Sequence, residues 1–258
     1  MKDVCGAAST PKALGRSAAA QNIVQTKLKG ANHNAADAST LGVLDVHEAK
    51  YSFVAKLSLP VFKTLGGLFD QVIELGAGAD IHESDNLDIG AGWAVHQFEN
   101  HHELLRHLPK GFRNPIICNI VHESQCWAMR TGDGAAVQAH VDMLNRDDDI
   151  QVPQYALLLM IHGAKLAITM TSPQSWVSFF GQNQINRKSN EFGHPDLKFL
   201  LDKWADFKDS GGHAFHLEEG HMLLIPAGHP HYVVCLDTQG DSLTVGWDGP
   251  RFGESFWR

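Results

Sequence analysis

Cysteine is scarce in this chain, and its four cysteines do not pair by spacing. Cys5, Cys118, Cys126 and Cys235 are scattered over 258 residues with no Cys-x-x-Cys. That argues against a zinc-finger or disulfide framework, and for reduced thiols in the cytoplasm or the nucleus. Long apolar runs are also missing. The longest, such as Ala156 to Ile161, fall far short of the roughly 20 residues that cross a bilayer. No apolar segment near the start has the form of a secretory leader, so no membrane role is expected. Positive charge is in deficit. A formal net charge of -8 disfavours a grip on phosphate backbones, and no strong nucleic-acid signature is present. There is no internal repeat.

What is present is globular. Hydrophobic residues make up 43% and charged residues 19%, a balance that can fill a core but does not suit a disordered chain. The length suits one large β-rich domain with extensions or two small domains. Residues 1–45, rich in Ala, Ser, Asn and Gly, read as a flexible N-terminal arm, and residues 46–258 as the folded domain. After Pro60, Val61, Leu65, Leu68 and Val72 recur at helical spacing. Trp93 to Phe98 alternates like a strand, and Asn100 can cap a short helix ending near Pro109.

From Pro115 the pattern changes to short β-rich runs with Gly and Asp between them. They are Ile116–Val121, Cys126–Arg130, Val137–Asp142, Tyr155–His162 and Lys165–Met170. Helical segments interrupt at Pro173–Phe180 and Pro195–Phe207. Strands resume at Ala214–Leu217, Met222–Ile225, His231–Leu236 and Ser242–Trp247. The expected fold is mainly β, a double-stranded β-helix (jelly roll, cupin-like) with flanking and inserted α-helices and a core over about residues 115–248.

The candidate chemistry starts at His140-Val141-Asp142. Residues i and i+2 of a strand share a face, so the imidazole and the carboxylate converge. They supply two members of a 2-His-1-carboxylate set, the ligands of non-haem Fe(II) oxygenases. Sixteen histidines make His richness uninformative, so only spacing can pick the third ligand. His231 opens a strand directly after the turn Pro226-Ala227-Gly228 and is preferred. His229, inside that turn, is the competitor.

These pieces fall in a telling order. His140-Val141-Asp142 comes first, then Gly163-Ala164-Lys165, then Leu217-Glu218-Glu219-Gly220, then Pro226-Ala227-Gly228-His229-Pro230-His231. The set, over roughly residues 93–250, resembles the JmjC (cupin-type) family of Fe(II)/2-oxoglutarate oxygenases. The resemblance implies a metal centre of His140, Asp142 and His231. It implies that Lys165 meets the far carboxylate of 2-oxoglutarate, a task that suits a point charge on a long stem. By the same likeness Asn145 adds a hydrogen bond to that cosubstrate and Trp247 lies beside it. The implied activity is dioxygenase hydroxylation of a C–H bond, or demethylation by hydroxylation, using O2 and releasing succinate and CO2. No reader domain or zinc finger is visible, which favours a hydroxylase over a histone demethylase. The chain departs from the family at His221, where an Asp is usual, and at Val137, where many members have Thr.

Two other readings compete. One is a non-catalytic cupin-type metal-binding or scaffold protein. The other is an S-adenosylmethionine-dependent methyltransferase, suggested by Val72-Ile73-Glu74-Leu75-Gly76-Ala77-Gly78 with Glu99 beyond. No helix pattern follows those glycines, and the downstream chain reads as antiparallel β. The substrate class stays open among protein, nucleic acid and small molecule, and a homodimer is compatible with the sequence.

Overall fold

The computed structural model describes residues 11–29, 36–37, 52–56, 93–98, 125–147, 150–182, 191–236 and 242–250. Helix α1 (Pro11–Ile23) runs on as a π-helical turn over Val24–Leu28. Strands follow as β1 (Ala36–Asp37), β2 (Phe53–Lys56), β3 (Trp93–Phe98), β4 (Gln125–Thr131), β5 (Ala139–His140), β6 (Met143–Asp147), β7 (Ile150–His162) and β8 (Lys165–Met170). Helix α2 (Pro173–Phe180), β9 (Glu191–Gly193), α3 (Leu197–Asp202) and α4 (Trp204–Asp209) form the insertion. Then come β10 (Gly212–Leu217), β11 (His221–Ile225), β12 (His231–Cys235) and β13 (Ser242–Pro250).

Two sheets result. The larger runs β1-β2-β11-β7-β13-β4-β3 with β6 also on β7, and the smaller runs β10-β8-β12-β5-β9. The chain passes between them repeatedly. β4, β7, β11 and β13 go to the larger sheet; β5, β8, β10 and β12 go to the smaller. Each of these strands is antiparallel to its neighbours. That is the double-stranded β-helix expected from the sequence.

Two apolar layers hold it together. Between the sheets pack Ala156, Leu158 and Met160 of β7, Ala167 of β8, Phe215 and Leu217 of β10, and Leu223 and Ile225 of β11. Behind the smaller sheet, Leu166, Ile168 and Met170 of β8 and Tyr232 and Val234 of β12 pack against helices. Both faces of that sheet are therefore buried, which is why its strands read as nearly continuous apolar runs.

The insertion follows local rules. Ser172 caps α2 by accepting from the Ser175 N–H, Pro173 opens the helix, and Gly181 at φ 64° closes it. The segment expected as one helix from Pro195 to Phe207 is two. Asp196 is the cap, its carboxylate accepting from the Lys198 and Phe199 N–H groups, so α3 starts at Leu197. The chain leaves helical geometry at Lys203 before α4.

The N-terminal arm needs correction. Residues 11–28 are helical and docked on the smaller sheet. Ala20 and Ile23 are fully buried in the apolar cluster that also holds Trp176 and Tyr232. Arg16 Nε donates to the Gly134 carbonyl, and Ser17 Oγ donates to Asp133. Small alanines let the helix approach closely, and the same alanines suggested low complexity in the sequence. The expected strand 116–121, the helices after Pro60 and Asn100, and the run 72–78 lie outside the described residues. Among the described residues no helix is long and apolar enough to cross a membrane. A docked helix predicts that Ile23→Ala lowers the unfolding free energy by about 2–4 kcal/mol; a flexible arm predicts no change. Urea denaturation distinguishes the two.

Candidate metal centre and its cavity

Strand β12 is paired on both sides. His231 lies opposite His140 of β5 on one side and opposite Thr169 of β8 on the other. This brings the two imidazoles together with ring centroids 4.4 Å apart. Val141 turns into the core behind the sheet, so Asp142 returns to the inner face. The strand stops at His140, but the loop after it is pinned, because the Asp142 carbonyl accepts from the Gln154 N–H of β7 at 2.8 Å.

The three side chains meet. His140 Nε2 is 3.2 Å from Asp142 Oδ1, and His231 Nε2 is 3.5 Å from Asp142 Oδ2. The ligand atoms all lie within 4.8 Å of one another. Metal bonds of about 2.1 Å at right angles put neighbouring donor atoms about 3 Å apart, close to the two carboxylate–imidazole separations, so the donor set suits one ion with a small closing of the widest gap. The tautomers agree with this. His140 Nδ1 donates to the Gln138 carbonyl at 2.7 Å, and His231 Nδ1 donates to the His229 carbonyl at 3.3 Å. Carbonyls only accept, so those nitrogens carry the protons and the Nε2 lone pairs face the carboxylate. Three electron-rich atoms in that arrangement need a proton or a cation between them.

Without metal, a proton takes the place. Burial opposes charging His140, but the hydrogen bond and charge of Asp142 outweigh it and raise the imidazole to about 9. Burial dominates at His231 and pushes it down to about 4. For Asp142 burial opposes ionisation, but His231 and His140 together hold its carboxyl below the usual range.

The triad opens into a cavity of about 310 Å3 between the sheets. Its walls include Trp127, Met129, Ala136, Val137, Leu158 and Val233, and Lys165 lies in the same wall as the triad. Lys165 is almost wholly buried, and burial lowers its ammonium to about 8. It meets no carboxylate among the described residues. Four residues along β8 separate Lys165 from Thr169, the register partner of His231, or about 13 Å of strand.

Other expectations are sorted by the same geometry. His229 stays in the turn, its N–H donating to the Pro226 carbonyl, so His231 and not His229 joins the triad. Trp247 does not line the cavity. It pairs with Cys126 and Leu157 on the far face of the larger sheet, and its neighbour Asp248 points inward. The backbone of Asn145 lies in β6 opposite Gln151, and its expected side-chain contact falls outside the described residues. His221 Nδ1 accepts from the Glu218 N–H at 3.0 Å, so it ties the β10–β11 turn where a carboxylate would otherwise accept.

Two wall residues were missed, Trp127 and Asp248. Trp127 Nε1 donates to Asp248 Oδ2 at 2.8 Å. A Cβ on Gly246 would come 2.1 Å from the Trp127 ring, so that glycine makes room for the indole. A glycine inside a strand signals such close approach, and Gly246 was the clue available.

A divalent ion should therefore bind at one per chain, and His140→Ala, Asp142→Ala and His231→Ala should each weaken it by about 100-fold or more. In the metal-free protein the raised His140 stabilises the fold below its unfolded value near 6.5, and that contribution fades as pH rises through about 9. Metal affinity runs the opposite way, because the ion must displace the proton. It should rise about tenfold per pH unit up to about pH 9. Co(II) titration followed by absorbance at several pH values checks both statements; a pH-independent affinity would contradict them.

No family model matches the chain, and no curated protein matches it in sequence. Among solved structures it is similar to procruciferin, an 11S globulin from Brassica napus, at 11% identity and a TM-score of 0.33. The match covers 68% of this chain and 29% of that one.

Proposed function

We propose that the chain is an Fe(II)- and 2-oxoglutarate-dependent dioxygenase of the JmjC type, hydroxylating a C–H bond of its substrate. The observation that carries this reading is the buried Lys165 in the same cavity as His140, Asp142 and His231. His140, Asp142 and His231 would hold one ion by three protein ligands and leave room beside it for a 2-oxo acid cosubstrate. A buried cation without a protein carboxylate, set along the strand from that face, suits the far end of a dicarboxylate. Iron held there supplies O2 activation coupled to oxidative decarboxylation; overall, substrate C–H, O2 and 2-oxoglutarate give C–OH, succinate and CO2.

The chain's own residues do the rest. The Nδ1 hydrogen bonds of His140 and His231 fix ring orientation. Asp142 supplies the negative charge that favours a divalent ion. Leu158, Val233 and Val137 give the cavity an apolar lining, which would strengthen a Lys165–carboxylate attraction. The walls hold the reacting carbon near the metal face, where most of the rate advantage of such a site lies. Protein, nucleic-acid and small-molecule substrates all remain within this reading, as does a homodimer. Hydroxylation is favoured over histone demethylation, and the buried thiols of Cys126 and Cys235, which form no disulfide, suit the cytoplasm or nucleus.

Val137 supports a second reading. It lines the cavity at the place where a Thr would touch cosubstrate, as expected of a cupin-type metal-binding scaffold that does not turn over. The methyltransferase reading would need a parallel sheet, whereas β4 through β13 pair antiparallel.

Purified protein with Fe(II) and ascorbate should form succinate from 2-oxoglutarate, and His140→Ala and Asp142→Ala should abolish it. Metal binding with no decarboxylation, even in the presence of cell-extract substrates, would favour the scaffold. Lys165→Met should weaken 2-oxoglutarate binding by about 100-fold. Because burial sets the Lys165 ammonium at about 8, cosubstrate affinity should fall as pH rises above about 8, by about tenfold per unit. Calorimetry with Mn(II) in place of iron reads this directly.

A further inference from the structure

Helix α1 is hydrogen-bonded to two segments that carry the site, although none of its residues lines the cavity or belongs to the triad. The first segment is 132–138, which joins β4 to β5. It lies outside the sheet ladders apart from one bridge, Ala136 with Val234. Arg16 Nε donates to the Gly134 carbonyl at 3.1 Å, and Ser17 Oγ donates to Asp133 Oδ1 at 2.5 Å. Directly after that turn, Ala135, Ala136 and Val137 line the cavity, and the Gln138 carbonyl accepts from His140 Nδ1. The second segment is Leu236, just past β12. Gln21 Nε2 donates to its carbonyl at 3.4 Å, and its own N–H donates to the carbonyl of Ala164, the residue before Lys165. The carbonyl that orients His140, the end of the His231 strand and the start of the Lys165 strand thus share one brace.

The brace is built to come off. Gly15 sits within the helix with open space around it, and a glycine there weakens a helix. The helix then runs into a π-helical turn over Val24–Leu28, a geometry that is rarely sustained. A helix of this length is marginal in water on its own, so α1 is helical when docked and loses helix when released. Docked and released α1 are therefore two discrete states. Strands β8 and β12 keep their ladders in both, whereas 132–138 loses two of the hydrogen bonds that position it.

We propose that α1 is a conformational strap coupled to the metal centre. Docked, it holds the segment before His140 in the geometry that binds a divalent ion; the bound ion in turn holds the strap down. The coupling requires the metal centre of the reading above and nothing else of the oxygenase chemistry. Linkage makes the two effects equal: the ion slows release of α1 by the factor by which release weakens the ion's binding. A negative charge added at Ser17 meets Asp133, lifts the strap and weakens the site.

The test uses the full chain with Zn(II) alone. In hydrogen exchange read by mass spectrometry, saturating Zn(II) should slow exchange over residues 11–28 by at least about tenfold. Helix α2, which packs in the same apolar layer, should change by less than about twofold. Ser17→Asp should weaken Zn(II) binding by about tenfold in calorimetry, and Asp133→Asn added to it should restore the affinity. Unchanged exchange over 11–28 on adding zinc overturns the strap, as does equal slowing of α1 and α2, which marks general stabilisation. A Ser17→Asp chain whose α1 exchanges fast but which binds zinc as the unaltered chain does also overturns it. Where Ser17→Asp does not fold, the exchange comparison on the unaltered chain decides. Failure of the metal centre is separable: an unaltered chain that binds no Zn(II) overturns the centre and the coupling together, whereas zinc bound without protection of α1 overturns the strap and leaves the centre standing.

Discussion

The register of β12 against β5 is the constraint on which the site depends. It places His231 directly across from His140, and each ring donates from Nδ1 to the carbonyl two residues before it. A shift of one residue would turn His231 out and Tyr232 in, because side chains alternate faces. The shift is opposed from behind. Tyr232 and Val234 are fully buried against the helices, and α1 adds Ala20 and Ile23 to the same layer. The apolar packing behind the smaller sheet therefore fixes the geometry of a polar centre in front of it.

The same logic ties the N-terminal helix to the cavity without any direct contact with it. Arg16 and Ser17 hold the turn of Asp133 and Gly134, and Ala135, Ala136 and Val137 line the cavity directly after it. On the other side of the turn, the Cys235 N–H donates to the Ala135 carbonyl. Helix, turn and β12 thus brace one another, and the cavity wall between them inherits that rigidity.

The sequence was informative where local rules operate alone. Helix α2 has its Ser172 cap, its Pro173 start and its Gly181 stop, and it falls where expected. Strand β8 also matches residue for residue, and it is His231 rather than His229 that lies with His140 and Asp142. Reading failed where the answer depends on what covers a face. The alanine-rich α1 has little amphipathic pattern of its own, and only the partner surface reveals its buried side. At β13 the expectation for Trp247 came from the family likeness alone, which does not fix which face of the strand an aromatic takes. Leu243, Val245 and Trp247 alternate with Thr244, Gly246 and Asp248. The larger sheet is buried on its outer side as well, so the apolar set faces away and the polar set faces the cavity.

That inversion is itself an argument about function. The inner face at this end of the barrel carries His140, Asp142, Lys165, His231 and Asp248, while the outer faces carry Leu166, Ile168, Tyr232, Val245 and Trp247. A fold selected for stability alone would not gather charged and titratable groups in its interior, since each costs free energy unless it is matched. Within the protein the matching is incomplete. Asp142 has its imidazoles and Asp248 has the Trp127 N–H, but Lys165 has no carboxylate among the described residues. A divalent ion at the triad and an anion at Lys165 would supply the missing counter-charges, each to a different one of these groups. The polar interior is best understood as half of a charge pattern whose other half is carried by ligands.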